Sequence, residues 1–290
     1  MMQSHSTMRA RDLFLAALLL LPIATAAQKR IYEPQDSAKC EQILKDAQSD
    51  RYDILDIACL FTGEKYVAGT LEQGAEEPLT VSCTQLDCTT FVELVLALHL
   101  TAEEGETSFP TLCRNLEKVR YRNGKNSGYA SRLHYISCWI TDSAKTGIVE
   151  EVTADTEGAE KQILHLDYMS KHPSVYPILA DNPFLIKEIE LLEKPFRGVE
   201  TYYLPKRKLK HEGVKGIKEG DIIAIVTSIK GLDVAHIGFA HYHNGALCLL
   251  HASSEKGEVI KDTRPLCDYL NGRKSHIGIR VFRPIIKTHK

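Results

Sequence analysis

An α+β fold, with one central helix packed on an antiparallel sheet, is the class this sequence predicts. Three observations predict it. The first is Leu86-Asp87-Cys88-Thr89-Thr90-Phe91-Val92-Glu93, which opens an apolar run to Leu100. Phe91, Val92 and Val95 stand at i+3, i+4 and i+7 from Cys88, the spacing of a buried helix face. The second is Asn244-Gly245 between two apolar runs. That dipeptide signals a hairpin, because a type I′ turn needs φ > 0 at both central residues. The third is a pair of β-rich runs, 220–226 and 277–282, which read as buried strands around that hairpin.

The chain has 290 residues, 43% hydrophobic and 26% charged, with a formal net charge of −2. This composition allows one large domain or two small ones and gives no reason to expect a nucleic-acid partner. At the N-terminus, Arg9 and Arg11 precede an apolar run over 13–23, and Ala24-Thr25-Ala26-Ala27 supplies small residues for cleavage. Residues 1–27 therefore read as a secretory signal peptide, too short to be a membrane span. No cysteine follows that run until Cys40, so no stable membrane anchor is expected.

Residues 38–62 carry apolar positions at helical spacing and predict one or two helices. A loop over 69–82 leads into the Cys88 helix, and 108–121 reads as another helix. Turn signals stand at Asn123-Gly124 and Asn126-Ser127-Gly128. Arg132 and His134 then open an apolar stretch with the only tryptophan, Trp139. Residues 141–200, broken by Pro173, Pro177, Pro183 and Pro195, mix helix and loop and form a wall over a cleft. Lys206-Arg207-Lys208 with Lys210 reads as a solvated basic loop. Lys256-Gly257 is a further turn. Eight cysteines in an exported chain would ordinarily suggest bridges, but several sit in apolar runs as core thiols. Few or no disulfides are expected, with Cys83–Cys88 one conceivable regulatory pair.

The chemistry concentrates at the helix and the hairpin. A thiol in the first turn of a helix lies near unpaired backbone N–H groups and the positive dipole end, which favours thiolate. If Asn244-Gly245 is the turn, His243 pairs with Ala246, Gly238 with His251 and His236 with Ser253. His236, Gly238, His251 and Ser253 then share one face. The two imidazoles become diagonal neighbours, roughly 7 Å apart at the backbone. Gly238 and Ala240 leave room on that face, while Ile237, Phe239, Cys248 and Leu250 pack the other. His241 and His243, near the turn, read as surface residues.

Cys88 is thus the expected nucleophile, His236 its base and acid, and His251 the group that orients His236. The Cys88 backbone N–H is one expected oxyanion donor. Arg132 and His134, two apart in an extended segment, could together hold a carboxylate. Asp87 and Asp233 bind substrate polar groups or cap local backbone, and Ser253 is a further substrate contact. A zinc site from His236, His251 and Cys88 is conceivable, but the spacing is not diagnostic and no metal is expected.

The order cysteine, histidine, then a third polar residue on the next strand resembles the NlpC-type branch of the papain-like superfamily. The segments LDCTTFVELVLAL, GYASRLHYISCWI, GLDVAHIGFA and LLHASS are similar to one branch, the N-acetylmuramoyl-L-alanine amidase-like family. That resemblance implies a papain-like α+β catalytic domain over 28–290, with a helical N-terminal part and an insertion at about 105–205. It implies hydrolysis of the N-acetylmuramoyl-L-alanine amide in peptidoglycan or muropeptide fragments, without a cofactor. The implied location is exported, periplasmic or secreted. The alternatives are a stem-peptide endopeptidase cutting after γ-D-glutamate, or a non-catalytic secreted muropeptide-binding protein.

Overall fold

The computed structural model describes residues 29–72 and 76–285. The signal peptide expected over 1–27 lies outside them. In chain order the helices are α1 (Pro34–Asp50), α2 (Ile54–Cys59), α3 (Cys88–Glu103), α4 (Phe109–Arg120), α5 (Ile136–Lys145), α6 (Tyr168–Lys171), α7 (Pro183–Glu193) and α8 (Leu266–Asn271). Four short strands come first: β1 (Arg30–Ile31), β2 (Lys65–Tyr66), β3 (Leu79–Thr80) and β4 (Gln85–Leu86). The longer ones follow with β5 (Val149–Glu151), β6 (Glu160–His165), β7 (Arg197–Pro205), β8 (Ile222–Thr227), β9 (Val234–His243), β10 (Ala246–Ser253), β11 (Glu258–Lys261) and β12 (His276–Pro284).

The class is α+β, as expected. Among the described residues one large sheet runs β4-β2-β11-β10-β9-β8-β12-β7-β6, with β5 also paired to β12. Its pairs are antiparallel except for β2 with β4. The β9–β10 hairpin has the register read from the sequence, His243 opposite Ala246 through Phe239 opposite Leu250. Asn244 (φ 49°) and Gly245 (φ 80°) take the left-handed conformations a type I′ turn needs.

Two apolar layers sandwich the sheet. One joins α3, α1, α2, α4 and α5 to Ile237, Phe239 and Leu250. Here Phe91 meets Phe239 edge-on at 5.7 Å between ring centres. The other joins Ala240, Leu247, Leu249 and Ile279 to Tyr269 and Leu270 of α8. Helix α3 is buried almost all round because it fills the space between the other helices and the sheet. At its buried face Arg120 Nε donates to Glu93 Oε2 at 2.6 Å, and Arg120 Nη1 donates to the Thr80 carbonyl at 2.6 Å.

Sequence periodicity missed β5, β6 and β7, which fall where only helix and loop were expected. Strand β6 pairs with β7 from Glu160–Tyr203 to Leu164–Val199, and β7 pairs with β12 at Leu204–Ile279. This outer ribbon is largely exposed, so its strands lack a continuous apolar face. The basic cluster is partly neutralised there, since Arg207 and Lys208 both pair with Glu160.

Candidate active site

Asp87 explains why α3 starts where it does. Its backbone is extended, and its carboxylate accepts from the Thr89 and Thr90 N–H groups at 3.1 and 2.8 Å. Thr90 Oγ1 in turn accepts from the Asp87 N–H at 2.9 Å, completing a capping box. Cys88 is therefore the first helical residue. The cap also reverses the expectation of a resting thiolate. Burial, with the adjacent Asp87 carboxylate second, pushes the Cys88 thiol up to about 12. The Thr89 and Thr90 N–H groups, which might have helped stabilise a thiolate, are committed to Asp87. Donors from the Ile237 backbone and the Thr89 hydroxyl oppose the rise without cancelling it.

His236 follows a β-bulge. Ile225 pairs with His236 but Val226 pairs with Val234, so Ala235 is the extra residue. Such a bulge re-aims the side chain beside it. His236 Nε2 lies 2.6 Å from His251 Nδ1, with the rings edge-on at 84°. The expected space at Gly238 is already filled. A Cβ there would lie 2.7 Å from His251 Cβ, so glycine is needed to seat the second imidazole. Burial, then the neighbouring His251, keeps His236 well below the ordinary imidazole range. Burial lowers His251 to about 4, with the Asp262 carboxylate opposing.

Asp262 was not singled out from the sequence. Its Oδ2 stands 4.0 Å from His251 Nε2, an ion-pair separation beyond hydrogen-bond length. That nitrogen is buried and has no hydrogen-bond partner among the described residues. Tyr269 of α8 was also missed. Its ring stacks near-parallel to His236 at 6.2 Å and meets His251 edge-on at 5.5 Å. Arg264 covers the same ring at 4.6 Å. Tyr66 completes the surroundings, its phenol pushed up to about 12, by burial first and by proximity to Cys88 second. No sequence spacing connects these residues to the hairpin. Only the association of β2, β11 and α8 with it brings them close.

Cys88 and His236 line one cavity of about 90 Å³ with Thr89, His134, Ile136 and residues 232–237. Asp233 borders it, but its carboxylate accepts from Ser137 N–H at 2.6 Å and Val234 N–H at 2.8 Å. It tethers the first turn of α5. Asp87 likewise caps backbone. Ser253 Oγ accepts from Lys256 N–H at 3.2 Å and shapes the turn after β10.

Arg132 and His134 have different polar partners. Arg132 Nη2 donates to Glu72 at 2.6 Å, and its Nε lies 3.1 Å from Glu77. His134 borders the thiol cavity, with Nε2 2.9 Å from the Tyr129 carbonyl. Both pack on the Tyr129 ring, Arg132 at 4.9 Å and His134 at 4.4 Å. Beyond Tyr129 lies a larger cavity of about 580 Å³, bordered by Glu72, Ile178, Leu185 and Glu188. His241, expected at the surface, is buried with Nε2 2.8 Å from the Asp262 carbonyl, because β11 and its exit cover that part of the hairpin.

A family model described as AmiA-like, N-acetylmuramoyl-L-alanine amidase-like, matches residues 56–279. A crystal structure of an N-acetylmuramoyl-L-alanine amidase from Bacteroides uniformis is 40% identical, with a TM-score of 0.77, covering 84% of this chain and 99% of that one. A structure from Bacteroides fragilis, described as a candidate xylanase, is 45% identical with a TM-score of 0.75, covering 79% and 99%. A Legionella pneumophila protein at 22% identity and a TM-score of 0.64, covering 87% and 95%, shares the fold. No curated relative matches the sequence.

Proposed function

This chain belongs to the N-acetylmuramoyl-L-alanine amidase-like family, and from that premise we propose that it hydrolyses the amide between N-acetylmuramic acid and L-alanine through Cys88. The observation that carries the reading is the hydrogen-bonded His236–His251 pair beside a cavity that Cys88 also borders. The reading includes a papain-like, NlpC-type arrangement, with the nucleophile at a helix start and the base on a strand. It also includes export, for which the composition of residues 1–27 speaks.

The proton wiring follows from Asp262. A carboxylate 4.0 Å from His251 Nε2 favours the tautomer with the proton on that nitrogen. His251 Nδ1 is then an acceptor, so His236 Nε2 donates to it across 2.6 Å. His236 Nδ1 is left with its lone pair. It takes the Cys88 proton as sulfur attacks the carbonyl carbon, and returns it to the leaving nitrogen of L-alanine. Water then cleaves the thioester with the same imidazole as base. The resting pair is neutral, thiol and imidazole, since burial shifts both away from their charged forms. The cavity beyond Tyr129 has the volume of a sugar or peptide subsite.

Glycoside hydrolysis has weaker support, because it ordinarily needs two free carboxylates flanking the bond. Asp87 and Asp233, which flank Cys88 and His236 in sequence, are committed to backbone N–H groups. Incubation of the protein with purified muropeptides, followed by mass analysis, tests the proposal. Release of intact stem peptide supports it, and no cleavage of any muropeptide would overturn it.

A further inference from the structure

Cys40 Sγ and Cys83 Sγ lie 3.0 Å apart, and both residues are fully buried. A second contact fixes the same junction. Asp36, one helical turn before Cys40 on α1, accepts from the Cys83 N–H through Oδ1 at 2.7 Å. The Cys83 thiol also reaches the Asp36 carbonyl at 3.6 Å. Positions i and i+4 share a helix face, so Asp36 and Cys40 present two aligned contacts to one residue. Cys83 lies four residues before Asp87, the cap of the nucleophile helix. The approach of the two sulfurs needs only a small further movement to reach a bond of about 2.05 Å.

We propose that Cys40 and Cys83 are a disulfide-forming pair, closed by exchange with a glutathione-type disulfide, that ties α1 to the segment leading into the Cys88 helix. One cysteine thiolate attacks the glutathione disulfide, forming a mixed disulfide and releasing one glutathione. The second cysteine then attacks the protein sulfur of that mixed disulfide and releases the other glutathione. The two protein protons leave on the two glutathione thiols, and the two electrons reduce the glutathione disulfide. Burial makes the step slow from the closed fold, so the bond forms on local opening of α1 or during folding. Once made, it closes a loop between residues 43 apart and constrains the unfolded chain. It also commits Cys83 to a partner other than Cys88, leaving the proposed nucleophile free.

The test is to refold the full chain in glutathione redox buffer, alkylate the free thiols without reduction, and map the peptides. The expected result is one linked pair containing Cys40 and Cys83, with Cys88 alkylated. The oxidised protein should melt roughly 5–15 °C above the reduced protein. A variant carrying Cys40→Ser and Cys83→Ser should melt near the reduced parent and show no response to the redox buffer. Alkylation of both cysteines in the oxidised sample would overturn the inference. So would pairing of either with Cys113, a further thiol close enough to act on Cys40, or an oxidised protein melting no higher than the reduced one. If the double variant does not fold, the parent's map and melting shift still decide. None of these readouts depends on amidase activity.

Discussion

Three imidazole nitrogens decide what the proposed nucleophile can do: His251 Nε2 facing Asp262, and the 2.6 Å pair of His251 Nδ1 and His236 Nε2. In this wiring His251 accepts a hydrogen bond and carries no charge of its own. His251→Asn, whose amide oxygen can still accept from His236, should therefore lower kcat far less than His236→Ala. Equal, complete losses in steady-state kinetics would show that His251 does more than orient. Asp262→Asn removes the field that selects the tautomer and should lower kcat by about 10- to 100-fold. The acid limb of kcat/KM should lie below the ordinary imidazole value of about 6.5, because burial lowers both rings. Asp87 offers a sharper check. Asp87→Asn keeps a capping oxygen but removes the charge that raises the Cys88 thiol. Its alkylation at neutral pH should speed up, with little change in melting temperature. Unchanged alkylation would mean that the neighbouring carboxylate is not what holds the thiol protonated. Cys88, on a helix-period run, and His236 and His251, on a hairpin of period two, were candidates from local pattern alone. Asp262, Tyr269 and Tyr66 were not, because each reaches the site through long-range pairing.

At the scale of elements, the hairpin was the most legible part, since one dipeptide sets its register and hence which side chains share a face. The bulge at Ala235 was invisible, because it exists only in relation to β8. The β6–β7 ribbon was missed for the opposite reason. Its mixed, exposed residues carry no strong period, and pairing with β12 holds it. Gly238 shows how closely the elements fit. Gly238→Ala would place a methyl 2.7 Å from His251 Cβ. It should cost about 1–3 kcal/mol by displacing the imidazole, measured as a lower denaturation midpoint. A stability equal to the parent would show that the strand relaxes freely there.

For the whole molecule, burial of neutral imidazoles makes stability depend on pH in a stated direction. His99, His134, His236, His241, His251 and His276 are all lowered, with burial the first cause in each. The unfolded chain then binds protons that the folded chain refuses. Stability is full above about pH 6.5 and falls as pH drops toward 4. His251 alone, lowered to about 4, contributes on the order of 3 kcal/mol to that loss. Denaturant titrations at pH 7 and pH 5 should show the decline, and equal midpoints would contradict it. The α+β class and the central helix were readable from periodicity, whereas the breadth of the sheet was not, because its outer strands are short or exposed. The proposed reaction is defined by the bond cut and the atom that cuts it. Mass analysis of a defined muropeptide, treated in parallel with the parent and Cys88→Ala, addresses both. The prediction is intact stem peptide beginning at L-alanine from the parent and unaltered substrate from the variant. Release of an L-alanyl-γ-D-glutamate dipeptide, or identical products from both proteins, would contradict it.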